Sequence, residues 1–313
     1  MQRVLVVGSN NMDLVIHTAR LPALGETLTG SDFRTIPGGK GANQALAAAR
    51  LGAQVKMIGC VGQDLFGKAL RDNLAASGVD TAAVGEADGS TGIAVITVCG
   101  GDNHILLDRG ANARVTPARV ESCAPLFRWA DLVLLQFEIP MDSVVCAARL
   151  AKENDARVLL NPAPMAPFDP ELLTYTDIFV PNRSEAAALL GTGIDTPAET
   201  AEAVRALCAR GVEQAIITLG SDGCAYNRGG TVWQHGIFET TVVDTTAAGD
   251  TFVGALATRL EEGGLTDAAI TYATAASAIT VSRSGASSSI PTREEVEAFL
   301  RGREEEACAH LLG

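Results

Sequence analysis

The chain has 313 residues, enough to bury a large core without disulfides or a structural metal. Hydrophobic residues make up 47% and charged residues 19%, which excludes disorder for the bulk of it. Lys and Arg number 24 against 37 Asp and Glu, a formal charge of −13, so the surface repels phosphate backbones and nucleic-acid binding is not expected.

The predicted elements start with a strand at 4–7 that ends in Gly8-Ser9-Asn10. Residues 14–17 and 27–36 then read as two period-2 strands with no helix between them. An Ala-rich helix over 44–51 stops at Gly52, and a strand at 55–60 and a helix at 66–76 follow. Residues 92–98 and 104–107 form a second strand pair. The two pairs interrupt a regular strand–helix alternation. They predict one small β-sheet, drawn from lid segments 12–36 and 91–109, that projects from the main sheet.

The alternation resumes with strands at 132–135, 158–160, 178–180 and 215–218 and helices at 143–152, 184–190 and 198–209. A hairpin at 224–227 and 231–235, turning at Arg228-Gly229-Gly230, is expected at the sheet edge. Helices at 248–262, 265–282 and 293–300 end the pattern, with a frayed tail over 303–313. This order argues an α/β fold: one domain over 1–313, with a doubly wound, mostly parallel sheet, helices on both faces and a β-sheet lid.

The seven cysteines (Cys60, Cys99, Cys123, Cys146, Cys208, Cys224 and Cys308) include no C-x-x-C pair, and most read as small core residues of a reducing compartment. No apolar run reaches 18 residues, and the first residues lack the pattern of a signal peptide. A soluble, cytoplasmic protein with no membrane partner is the expectation. His17, His104, His235 and His310 share no metal-ligand spacing.

Chemistry concentrates at a few turns. In Asp244-Thr245-Thr246-Ala247-Ala248-Gly249-Asp250-Thr251-Phe252 small residues lead into a helix whose free N–H groups would form an anion hole. Asp250 beside a bound phosphoryl group makes sense as a base that takes a proton from an attacking hydroxyl. The same carboxylate would equally serve the helix dipole. Gly38-Gly39-Lys40-Gly41-Ala42-Asn43-Gln44 is no P-loop, because Gly41 follows the lysine. Asn43 there is a donor to sugar hydroxyls or an N-cap. Asn11 and Asp13 alternate along an extended piece, an arrangement suited to a vicinal diol or to an ordinary strand–turn junction.

Glu138 also lies past a strand's carboxyl end. Asn182 and Glu185, three apart at a helix start, are a capping pair or a holder of water around Mg²⁺. The run from Thr218 through Gly220 to Gly223 is a tight turn or a nucleotide contact. No G-x-G-x-x-G follows the first strand, which argues against a dinucleotide-binding dehydrogenase.

The Gly38–Gln44 and Asp244–Phe252 motifs, in this order and separation, resemble those of the ribokinase family of carbohydrate kinases, the phosphofructokinase-B type. Supporting pieces include Gly110-Ala111-Asn112 and Asn161-Pro162-Ala163-Pro164, and the resemblance runs from Val4 to Phe299. One departure is Ala247-Ala248-Gly249-Asp250, where many members have Gly-Ala-Gly-Asp.

The resemblance implies ATP-dependent phosphorylation of D-ribose at its 5-hydroxyl. Asp250 would be the general base, with the backbone at Ala247, Ala248 and Gly249 as anion hole. Asn11, Asp13, Gly39, Lys40, Asn43 and Glu138 would hold the sugar. Asn182, Thr218, Gly220, Gly223 and Gly249 would serve the nucleotide, and Glu185 would hold Mg²⁺ through water. It also implies a monovalent cation, K⁺, at Asp244, Thr246, Thr280, Arg283, Gly285 and Ser289, several through backbone carbonyls only, and a homodimer formed through the lid. The alternatives are a kinase for 2-deoxyribose, fructose, a nucleoside or pseudouridine, and a non-catalytic sugar-binding protein on the same fold.

Overall fold

A computed structural model describes residues 1–100, 102–260, 264–303 and 309–312. Its strands are β1 (Arg3–Val7), β2 (Asn11–Thr18), β3 (Ser31–Gly38), β4 (Gln54–Gly62), β5 (Val79–Asp80), β6 (Val84–Ala87), β7 (Gly92–Cys99), β8 (Asp102–Asp108), β9 (Leu132–Leu135), β10 (Arg157–Leu160), β11 (Ile178–Phe179), β12 (Gln214–Thr218), β13 (Cys224–Arg228), β14 (Thr231–His235) and β15 (Ala309–Leu311). Its helices are α1 (Lys40–Arg50), α2 (Leu65–Ala76), α3 (Pro117–Ser122), α4 (Ala124–Trp129), α5 (Met141–Glu153), α6 (Glu171–Thr174), α7 (Arg183–Leu190), α8 (Pro197–Cys208), α9 (Ala248–Arg259), α10 (Asp267–Val281) and α11 (Arg293–Leu300).

The main sheet runs β15-β14-β13-β12-β11-β10-β9-β1-β4-β5, with β6 also on β4. From β12 across to β5 every pairing is parallel. The strands there are continuous apolar runs because both faces are buried. Val4 and Val6 pack with α1, α2, α9 and α10, whereas Leu5 and Val7 face α4, α5 and α8 on the other side. The expected α/β class with helices on both faces and a small separate sheet is what the structure contains.

The small sheet has the order β3-β2-β7-β8. Its root is at the carboxyl end of β1: Asn11 pairs with both Gly38 and Gly92. β3 therefore delivers the chain straight into Gly39 and α1.

Several features differ from expectation. α1 begins at Lys40, not 44, because Gly39 (φ 92°) turns the chain directly from strand to helix. β3 begins at Ser31, not 27. α9 ends at Arg259, and the expected last residues 261–262 of that helix lie outside the described residues. The β13–β14 hairpin is not the edge: Ala309–Leu311 pairs antiparallel with β14 and takes that place. Those three residues are thus paired rather than frayed, while 304–308 and 313 of the expected tail lie outside the described residues. Among the described residues no helix is long and apolar enough to cross a membrane.

Candidate active site

The polar residues singled out in the sequence converge at one end of the parallel strands, as open α/β sheets require. Ser9 to Asn11 follow β1, Gln136 to Glu138 follow β9, Asn161 follows β10, Asn182 follows β11 and Gly220 follows β12. The N-termini of α1 and α9 meet over them. Gly254 lets the two helices touch, since a Cβ there would stand 2.5 Å from that of Ala47.

Asp250 occupies the first turn of α9 and is buried. Asn43 Nδ2 donates to its Oδ2 at 3.0 Å and Gln44 Nε2 to its Oδ1 at 3.1 Å. Asn43 is therefore inside α1 and faces the site. The N-cap reading is set aside, because the cap is Gly39. The helix start beside Asp250 has no side-chain cap, and Ala247 takes the left-handed conformation (φ 62°) to open it. Its first-turn N–H groups suit a phosphoryl oxygen.

On the lid side, Glu138 Oε2 accepts from Ser9 Oγ (2.5 Å), Lys40 N (3.0 Å) and Asn11 Nδ2 (3.4 Å). Asn112 holds Asn11 in turn, donating from Nδ2 to its Oδ1 at 2.7 Å. Asp13 lies alongside, against the backbone of Gly38, where a Cβ would come within 2.4 Å of Oδ2. Burial, then the nearby charges of Glu138 and Asp250, push the Asp13 carboxyl up to about 7. Asp250, followed by Glu138, Glu185 and Asp13, pulls the Lys40 ammonium above its ordinary value against the effect of burial.

On the far side of Asp250 a cavity of about 770 Å³ opens, lined by Lys40, Asn182, Glu185, Thr218, Gly220 and Gly249 among others. Asn182 and Glu185 do form a capping box: Asn182 Oδ1 accepts from Glu185 N and Glu185 Oε2 from Asn182 N, both at 2.8 Å. Burial raises the Glu185 carboxyl. A second cavity of about 370 Å³ adjoins the first and shares Thr218, Gly220 and Gly249. Its walls are mainly apolar, with Ile237, Phe238, Val242 and Phe252, and Thr274 and Gly223 also face it. Gly223 (φ 82°) is fixed by packing as well, since a Cβ would stand 1.9 Å from the His235 carbonyl.

The proposed cation residues come from the loop before α9 (Asp244 and Thr246), the last turn of α10 (Thr280) and the loop that follows it (Arg283, Gly285 and Ser289). Asp244 accepts from Thr246 N at 2.9 Å and Gly285 N at 3.0 Å. Burial pushes its carboxyl up, but these hydrogen bonds outweigh that and hold it below the usual range. The side chains of Thr280, Arg283 and Ser289 turn elsewhere. Thr280 Oγ1 meets Thr251 Oγ1 (3.1 Å), Arg283 pairs with Glu295 (2.6 Å) and Ser289 Oγ donates to Ala286 O (2.7 Å). Their backbone oxygens are what they could offer a cation.

Gln44, Gln136, Asn161, Ser9 and Asn112 received no role from the sequence. The available signal was position: Gln136 and Asn161 directly follow the apolar strands β9 and β10.

The pfkB family of carbohydrate kinases matches residues 1–293. The chain belongs to that family. It is 41% identical to a ribokinase of Haemophilus influenzae, covering 94% of this chain and 97% of the relative. It is 40% identical to a ribokinase of Bacillus subtilis, covering 96% and 100%. A solved structure of an Arabidopsis thaliana ribokinase complexed with ribose and ATP superposes with a TM-score of 0.90 at 35% identity, over 96% of the kinase and 99% of the plant chain.

Proposed function

We propose that this kinase transfers the γ-phosphoryl group of ATP to the 5-hydroxyl of D-ribose, giving ribose 5-phosphate and ADP. The observation that carries the reading is the place of Asp250. It stands between the lid-side cluster of Asn11, Asp13 and Glu138 and the cavity of about 770 Å³, beside an uncapped helix start. A base in that position reaches an acceptor hydroxyl on one side and a phosphoryl group on the other. The solved ribokinase with ribose and ATP supports the choice of substrates.

Asn11, Asp13 and Glu138 bind the sugar hydroxyls, and Asn43, donating to Asp250 Oδ2, stands at the junction with the base. The backbone of Gly39 and Lys40 closes the sugar site. The apolar second cavity suits the base of ATP and the larger one its phosphates. An Asp250 carboxylate oxygen takes the 5-hydroxyl proton as the oxygen attacks the γ-phosphorus in line, and ADP leaves. The transition state is loose, so positioning and charge stabilisation dominate. The first-turn N–H groups of α9 and the Lys40 ammonium supply the stabilisation.

Mg²⁺ fits this donor set: Glu185 lines the phosphate cavity, and a hard carboxylate oxygen with water is what the ion prefers. When bound, it would neutralise charge on the nucleotide phosphates. A monovalent cation, K⁺ foremost, suits a donor set of oxygens, here the Asp244 carboxylate and the backbone carbonyls of Thr246, Thr280, Arg283, Gly285 and Ser289. The two loops it would join already bridge through Asp244. Two protomers would associate through the lid, where Phe33, Ile105, Leu106 and Leu107 are exposed apolar residues. The domain unit is the whole chain, with 12–36 and 91–109 as inserted lid segments, working in the cytoplasm.

A coupled ADP-release assay tests the reading, with ribose, 2-deoxyribose, fructose and nucleosides, each in Na⁺ and in K⁺. Ribose-dependent turnover that rises with K⁺ is expected. A higher kcat/KM for another sugar would overturn the substrate. No turnover with any would point to a sugar-binding protein.

A further inference from the structure

The base at Asp250 is held by more than the sugar-facing Asn43. Gln44, the next residue of α1, is fully buried, so it has no surface with which to meet either substrate. Its Nε2 donates to Asp250 Oδ1 and to Asn161 Oδ1, both at 3.1 Å. A glutamine amide could point either end at a carboxylate, and only the N–H end is favourable. Two neighbours settle which end faces Asp250. Gln136 Nε2 donates to Gln44 Oε1 at 2.6 Å, which turns the oxygen away from the base. Asn161 Nδ2 donates to Val180 O at 2.7 Å, which turns its own oxygen toward Gln44.

Gln136 is itself hard to explain as a structural residue. It is fully buried, its Oε1 has no hydrogen-bond partner, and the bond to Gln44 is its only side-chain hydrogen bond among the described residues. An unpartnered buried polar atom is unfavourable and calls for a role. Gly8 leaves space for it, since a Cβ there would stand 2.2 Å from Gln136 Oε1. The chain thus makes room for an amide whose hydrogen bond fixes another amide, and that second amide touches the carboxylate at the centre of the site.

We propose that Gln44 is a positioning residue for the base, and that Gln136 and Asn161 act through it. With Asn43 on Oδ2 and Gln44 on Oδ1, the carboxylate plane cannot rotate. The Lys40 ammonium lies close by. This rests on the reading of Asp250 as general base.

The test compares Gln44→Met, Gln136→Met and the double variant, with Asp250→Asn in parallel, on the sugar that the wild type turns over. Methionine keeps the length of the side chain and removes its donors. Gln44→Met is expected to lose about 10- to 100-fold in kcat, with KM for sugar and for ATP within about 2-fold and a near-native Tm. Gln136→Met is expected to lose less, and the double variant no more than Gln44→Met alone, because both act along one chain of contacts. Gln44→Asn, which keeps the donor but shortens the reach, should recover part of the loss. The proposal is overturned by a kcat within 2-fold of wild type, by a rise in KM with kcat unchanged, or by losses that multiply in the double variant. Failure of Gln44→Met to fold would also overturn it, since the amide would then be a structural element. Turnover retained in Asp250→Asn would instead remove the base reading on which it rests.

Discussion

On the lid side of Asp250 the cleft is built from interlocked polar side chains: Glu138 gathers three donors, Asn112 orients Asn11, and Asp13 is wedged against Gly38. On the other side it is built from backbone and shape, with glycine turns at Gly220 and Gly223, an uncapped helix start and apolar walls. A ligand on the first side is read atom by atom. One on the second side is held by oriented N–H groups and by surface complementarity, which tolerate exchange of most side chains. The two sides should therefore fail in different ways when altered.

The largest effect falls at their junction. Asp250→Asn is expected to lower kcat by about 10²–10⁴-fold, the range for general-base assistance, in steady-state assays, with Tm changed little. On the lid side, Glu138→Gln removes a charge that accepts from Ser9, Lys40 and Asn11, so KM for ribose should rise about 10- to 100-fold while KM for ATP holds. A parallel rise in both constants would erase the distinction between the two sides.

The opposite side should respond to backbone change. Gly223→Ala places a Cβ 1.9 Å from the His235 carbonyl at a residue with φ 82°, a cost of about 3 kcal/mol or more. Tm should drop by about 5–10 °C in a thermal scan, with ATP binding weakened more than sugar binding.

The smallest effect is a pH dependence confined to the lid side. The Asp13 carboxyl is raised from 3.8 to about 7, so between these values the ligand-free native state holds a proton that the unfolded chain has released. Its contribution to stability is present below about pH 4 and is lost as pH rises toward 7. Sugar binding runs the other way, because the ionised carboxylate is the better acceptor for hydroxyls, so KM for ribose should rise several-fold from pH 8 to 6. Asp13→Asn should flatten both trends, which thermal scans and KM measurements across that range will show.

How far the sequence could be read follows the same division. The parallel strands were legible because burial on both faces leaves uninterrupted apolar runs, as at Leu132–Leu135. The small sheet was legible because its two strand pairs interrupt the strand–helix alternation. Asn11, Asp13, Asn43, Glu138 and Asp250 stood out as polar side chains at element ends, and the structure gathers them in one place. The apolar second cavity did not stand out, since Ile237, Phe238 and Val242 look like any core residues until the chain folds around a gap. Gln44 was hidden for another reason. It lies in an Ala-rich helix, and only the arrival of Asp250 from 206 positions away shows what its amide is for. The pairing of Ala309–Leu311 was missed because three residues carry no period.

Ala247 carries a methyl group where glycine would sit without strain, and the left-handed conformation costs such a residue about 1–2 kcal/mol. The turn is therefore held open by its surroundings and not by its own preference: the packed ends of α9 and its neighbours supply the energy that keeps this residue left-handed and the first-turn N–H groups of α9 free.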